Sequence, residues 1–259
     1  VMDALNRMDN FDYKVNANVL KVELHPDGKT AKGVTYADAD GNTVFQPAKI
    51  VILAGFQFVN VRLMLLSGIG KPYDPISETG TVDRNYAFHS TGNATLFYKD
   101  KYFSPFATAG ATEQMFNDVS PGNFDGNALG FIGGAKIHSS QATGAPIGTS
   151  LPAGTADWGK GWKEGMVDWY GHSMKVSITT TCMSYRDHYM DLDPNYKDRW
   201  GLPLARITFD WKQNELKLQQ HLRKIVQDIT KELGPDSFTE SFLGMDSHWD
   251  LTKYVSTHN

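Results

Sequence analysis

Eight histidines, His25, His89, His138, His172, His188, His221, His248 and His258, are the side chains here best suited to move a proton near neutral pH. No two stand four apart, the spacing of a helical metal pair, and a single cysteine, Cys182, excludes a cysteine-built metal centre or an intrachain disulfide. His25 and His138 fall among polar residues and read as solvated. His221 reads as a surface position, off the apolar stripe of a long helix. His258 follows a short strand-like run, 253–257, and on pattern alone a lone histidine there is as a rule structural. Cys182 lies in the alternating stretch 174–183 and reads as a small buried apolar residue.

Other chemistries fail on spacing. Gly68-Ile69-Gly70 is a fragment of a dinucleotide fingerprint, but it follows a helix rather than a strand; the glycines of 130–134 are also wrongly spaced. No phosphate-binding GxxxxGK[ST] loop occurs. Asp191, Asp193 and Asn195 imitate the start of a calcium loop, yet Tyr196 stands where glycine must turn and the twelfth position is not Glu. Asp193-Pro194-Asn195 is a turn instead. Asn93-Ala94-Thr95 is a formal glycosylation acceptor in a strand context.

These residues need a scaffold, and the pattern supplies one. At 259 residues the chain holds one large or two modest domains. A formal charge of −4 with interspersed signs gives no nucleic-acid surface. No apolar run is long enough for a spanning helix, and the start at Val1 reads as part of something longer. Six Trp and eleven Tyr suit a carbohydrate or polyol site as well as ordinary packing. Strands are expected over 15–24, 32–36 and 42–46, separated by Pro26-Asp27-Gly28 and the turn 38–41, as a small antiparallel meander. The continuous run Ile50-Val51-Ile52-Leu53 predicts a strand buried on both faces, ended by the small pair Ala54-Gly55. Asn60 is expected to cap a helix that Gly68 closes. Residues 71–171 are rich in loop formers, with a strand over 93–98. Strands return at 174–183 and 204–210, and a helix over 213–233 carries the apolar stripe Leu218, Leu222, Ile225, Val226, Ile229 and Leu233.

Several stretches, taken in order, make a specific pattern: residues 16–22, 33–36 and 51–70, then Arg84-Asn85-Tyr86, 130–135, Tyr185-Arg186-Asp187 with Leu192-Asp193-Pro194, 208–215 and 254–259. In these the sequence resembles the glucose–methanol–choline oxidoreductases, and within them the flavoprotein subunits of gluconate 2-dehydrogenase type. The resemblance implies a mixed α+β and α/β two-domain fold. Residues 1–85 would be part of a Rossmann-like FAD-binding domain with a β-meander. Residues 86–247 would form a substrate domain of antiparallel sheet covered by helices, and 248–259 would return to the active site. It further implies that the backbone at Val19 meets the FAD adenine, that Ala54 and Gly55 lie near the nucleotide, and that His258 is the catalytic base. Asn259 would shape the substrate site.

The implied reaction is oxidation of a CH–OH group of a polyol or sugar acid by hydride transfer to flavin. Electrons would pass to a cytochrome c subunit, with a small subunit completing a peripheral complex on the periplasmic face of the bacterial inner membrane. A sorbitol or fructose dehydrogenase flavoprotein of the same family, or a non-catalytic sugar- or partner-binding module, is the alternative. Two departures stand out. The family's amino-terminal βαβ unit with its glycine-rich pyrophosphate loop is not in this sequence, nor is the segment with the second catalytic His or Asn. Asp83 stands where relatives usually carry glycine before Arg-Asn. These residues alone are expected to hold FAD weakly or not at all.

Overall fold

The computed structural model describes residues 1–104, 114–116, 118–141 and 146–243. In chain order they form α1 (Met2–Leu5), β1 (Asn18–Leu24), β2 (Ala31–Ala37), β3 (Thr43–Pro47) and α2 (Gln57–Ser67). Next come β4 (Thr91–Phe97), β5 (Gln114–Phe116), α3 (Gly126–Leu129), β6 (Ala135–Gln141), α4 (Gly159–Trp169) and β7 (Ser173–Thr180). The last are β8 (Tyr189–Lys197), β9 (Pro203–Thr208), α5 (Gln213–Leu233) and β10 (Ser237–Ser241). The chain divides into two compact units, 1–86 with 185–209, and 87–184 with 210 onward. Residues 185–209 thus group with the first unit.

In the first unit β1, β2 and β3 make the expected antiparallel meander, with Val22 opposite Val34 and Val34 opposite Gln46. The β1–β2 turn is fixed by Asp27, which accepts from the Lys29 and Thr30 amides at 2.8 and 2.9 Å and from the Thr30 hydroxyl. The Thr30 hydroxyl bond, followed by the two amides, holds the carboxyl down at about 2. Helix α2 packs against β1, and the Val22 amide donates to Ser67 Oγ at 2.9 Å. Gly68 ends the helix in the left-handed region at φ 68°, as expected. Arg62 leaves α2 to donate to Pro203 O at 2.7 Å and to Asp198 at 2.6 Å, tying the helix to the β8–β9 ribbon.

Two expectations are corrected here. Residues 50–53 are not a doubly buried strand: among the described residues they pair with no strand, and Ile50 and Ile52 are 79% and 84% exposed. A continuous apolar run needs cover on both faces, and the described residues supply one. Val51 and Leu53 line an open apolar hollow of about 410 Å³ with Val22, Leu24, Met64 and Ile69. Helix α2 also starts earlier than Asn60, at Gln57.

The second unit holds a five-stranded antiparallel sheet in the order β10-β4-β7-β6-β5. Alternation buries Ala94 and Leu96 of β4, Val176 and Ile178 of β7, and Ile137 of β6. Against them α5 lays Leu218, Leu222 and Val226, all fully buried, with Ile225 and Ile229 partly so. Each such side chain contributes about 1.5–3 kcal/mol. Sequence missed that Glu215, Gln219 and Thr230 share the buried face. Their burial is tolerable where partners exist: Gln219 donates to Ser90 Oγ at 2.7 Å, and Ser90 Oγ lies 2.5 Å from Thr180 Oγ1.

Loop-rich composition also concealed β6 and α4. His138 belongs to β6 rather than to a solvated loop. His221 is partly buried, its ring 5.9 Å from Phe124 and 5.6 Å from Phe131, because α5 packs on the loop around α3. Cys182 lies just beyond β7 and is half-buried.

Candidate functional site

The expected cofactor residues lie in the first unit. Val19, 42% exposed, is the second residue of β1, beside a register shift between Val19 and Lys21. Ala54 and Gly55 form an exposed turn leading into α2. Asn60 holds that turn rather than capping the helix: its Oδ1 accepts from the Gly55 amide at 2.9 Å and its Nδ2 donates to Leu53 O at 3.2 Å. The Gly55 amide is thus spent. Anything approaching the turn meets small-residue contact surface rather than a free donor, which suits a flat ring better than a phosphate.

Phe56 follows at φ 76°, ψ 151°, a backbone region that essentially belongs to glycine, and it is 67% exposed. Its ring meets Phe58 edge to face at 5.3 Å. Phe58 lies 5.2 Å from Tyr86, and Tyr86 lies 5.9 Å from Phe209. His188, buried, continues this row at 4.5 Å from Phe209 and 5.1 Å from Tyr185.

Residues 83–86 run beside 188–190. Met190 N donates to Asp83 O and Tyr86 N to His188 O, both at 3.0 Å, and Arg84 bridges Tyr189. Two of the stretches in the sequence pattern therefore meet here. Asp83 and Asn85 both have positive φ, 77° and 62°, which gives a backbone reason for glycine at the first of them. The Asp83 carboxyl is pushed up to about 6, first by burial and further by Asp191, against a bond from the Tyr73 backbone. Asp191 itself pairs with Arg206, whose Nε donates at 2.8 Å.

In the second unit two more of those stretches meet. Asn214 accepts from the Ile132 amide at 2.8 Å and donates to Ile132 O at 3.1 Å, fastening 130–135 to the start of α5. Gly134 N donates to Thr181 Oγ1 at 2.9 Å, and Met183 N donates to Glu215 at 3.1 Å. Burial pushes the Cys182 thiol up, so it is poorly suited to act as a nucleophile.

His258 and Asn259 lie outside the described residues. Phe56, the turn-holding role of Asn60 and the row from Phe58 to Phe209 are the features sequence reasoning missed. Only the juxtaposition of Gly55 with an aromatic residue at a turn hinted at them. Among the described residues no group of three His, Cys, Asp or Glu could hold a metal, and no helix is long and apolar enough to cross a membrane.

No protein-family model matches the chain. The gluconate 2-dehydrogenase flavoprotein of Pantoea cypripedii is 41% identical over 260 residues, 100% of this chain and 42% of that protein. A 2-methyl-1,2-propanediol dehydrogenase of Mycolicibacterium austroafricanum is 23% identical over 86% of this chain and 40% of its own length. Among solved structures, an Aspergillus oryzae formate oxidase studied for modification of its FAD matches with a TM-score of 0.52 at 16% identity. That match covers 89% of this chain and 45% of the other, and it speaks to the fold alone. The chain spans about two fifths of the length of the curated relatives it matches. The 41% identity runs along the entire chain, which is therefore similar throughout to about two fifths of the gluconate 2-dehydrogenase flavoprotein.

Proposed function

We propose that the protein is an FAD-dependent dehydrogenase oxidising a CH–OH group of a polyol or sugar acid, with gluconate the first candidate. The observation that carries this reading is the 41% identity, over the whole chain, to a gluconate 2-dehydrogenase flavoprotein. The first unit is compatible with the nucleotide. Ala54 and Gly55 leave an exposed turn without bulky side chains, and Val19 is open at the start of β1. These three residues would hold FAD by contact rather than by charge.

When bound, the flavin supplies a hydride acceptor. The chain's own task is then to place the alcohol and take its proton. His258 is the residue proposed for that proton, because an imidazole titrates near working pH and can accept from a hydroxyl without itself carrying charge beforehand. Asn259, with an amide that donates and accepts, would orient the same hydroxyl. The reduced enzyme would pass electrons to a cytochrome c subunit within a complex that includes a small subunit, at the periplasmic face of the inner membrane.

The test is turnover of the full-length protein with an artificial electron acceptor, comparing gluconate, sorbitol and fructose. Gluconate reduces the acceptor fastest if the reading is right, and His258→Ala lowers kcat by about 10²–10⁴-fold. Reduction with none of the three refutes the polyol reading. Faster turnover with sorbitol or fructose moves the protein to a sister activity.

A further inference from the structure

We infer that Phe56 is a cofactor contact, its phenyl ring stacking on a planar ring of the flavin dinucleotide; this rests on the FAD reading proposed above. A phenylalanine at φ 76°, ψ 151° occupies a conformation that its Cβ disfavours and glycine adopts freely. Such strain persists where neighbouring bonds fix the backbone, here the Asn60 amide on Phe56 O and the Gly55 amide on Asn60 Oδ1, both at 2.9 Å, and it clusters at ligand clamps. Burial against the described residues does not account for the ring, which is 67% exposed. What the described residues do provide is orientation. Phe58 meets the ring edge to face at 5.3 Å and 68°, and is itself backed by Tyr86 at 5.2 Å, which Phe209 backs at 5.9 Å.

The surroundings favour a flat partner. Ala54 and Gly55 leave room beside the ring's own backbone. The Gly55 amide is taken by Asn60, so recognition here proceeds through surface contact and not through a donated hydrogen bond. An oriented, exposed aromatic ring next to small residues is a stacking platform, and a π-rich heteroaromatic system is the ligand class that uses one.

The experiment titrates full-length apo-protein with FAD, following flavin fluorescence, for wild type, Phe56→Gly, Phe56→Leu and Phe56→Trp. Melting of the four apo-proteins is recorded in parallel. Expected are about tenfold weaker FAD retention for Phe56→Gly and Phe56→Leu and near-wild-type retention for Phe56→Trp. The apo form of Phe56→Gly should melt no lower than wild type, because glycine fits the backbone. Equal FAD retention by wild type, Phe56→Gly and Phe56→Leu overturns the inference. So does an apo Phe56→Gly that melts well below wild type, which would make the ring a folding element. Failure of wild type itself to take up FAD refutes the cofactor reading and the inference with it; wild-type uptake with insensitive variants refutes the inference alone.

Discussion

Replacing Asp83 by asparagine or glycine should make the protein more stable, and by amounts that depend on pH. The carboxyl titrates at about 6 instead of 3.8, chiefly because it is buried and secondly because Asp191 is near. For a wholly desolvated carboxyl that displacement corresponds to about 3 kcal/mol at neutral pH. Solvent reaches part of Asp83, and screening reduces the figure to about 1–2 kcal/mol. The sign follows from linkage. A carboxyl whose folded pKa is raised binds its proton more tightly in the folded state, so it destabilises the fold at pH values above 6. That destabilisation fades as pH falls from 6 towards 4. An asparagine amide carries no charge at any pH. Asp83→Asn should therefore gain about 1–2 kcal/mol at pH 7.5 and lose most of that advantage by pH 4.5. Asp83→Gly should gain about 1 kcal/mol more at both, because φ of 77° strains any residue with a Cβ. Thermal unfolding of the full-length protein reads this as a rise of about 2–4 °C per kcal/mol. An asparagine variant that melts no higher than wild type at pH 7.5, or whose gain is undiminished at pH 4.5, refutes the reasoning.

Three further outcomes follow from the same geometry. Asn60→Ala removes both bonds that hold the turn at Leu53 and Gly55 and should cost about 1–2 kcal/mol, measurable by urea unfolding. Arg62→Ala leaves Asp198 and Pro203 O without their shared donor and should cost about 2–3 kcal/mol, with Arg62→Lys recovering only part because a single ammonium cannot span both acceptors. Burial, then Lys224, lowers the His221 pKa, so its contribution is fully present above 6.5 and is lost as pH falls from there through the lowered folded value. His221→Gln should flatten the decline in melting temperature between pH 7 and pH 5; an unchanged slope would show that the imidazole carries no such linkage.

Elements with a local cause were legible in the sequence. The α5 stripe and its Gly234 stop mark Gln213–Leu233, because apolar spacing and a left-handed cap are both written in adjacent residues. The meander was legible for the same reason: each turn carries its own Pro, Asp or Gly. Features that depend on distant partners were not. Ile50 and Ile52 look like core residues until one asks which chain covers them. Glu215 and Gln219 look like surface residues of a helix until Met183 and Ser90 arrive to pair with them. The site divides along the same line. Ala54 and Gly55 could be picked out as small residues at a turn, whereas the strain at Phe56 depends on backbone angles that no residue type reveals.

The interleaving of the two units bears on how the protein is made. The first unit needs residues 185–209, and these emerge from the ribosome only after the roughly one hundred residues that separate them from Tyr86. The sheet of the second unit likewise awaits β10 at Ser237–Ser241 to cover the edge of β4. Translation proceeds at about 5–20 residues per second, so the meander spends about 5–20 seconds without the ribbon that Arg62 grips. Until β10 follows, the bare edge of β4 is available to other nascent chains. Expression yield should therefore respond to translation speed and to holdase chaperones more strongly than the stability of the finished fold would suggest.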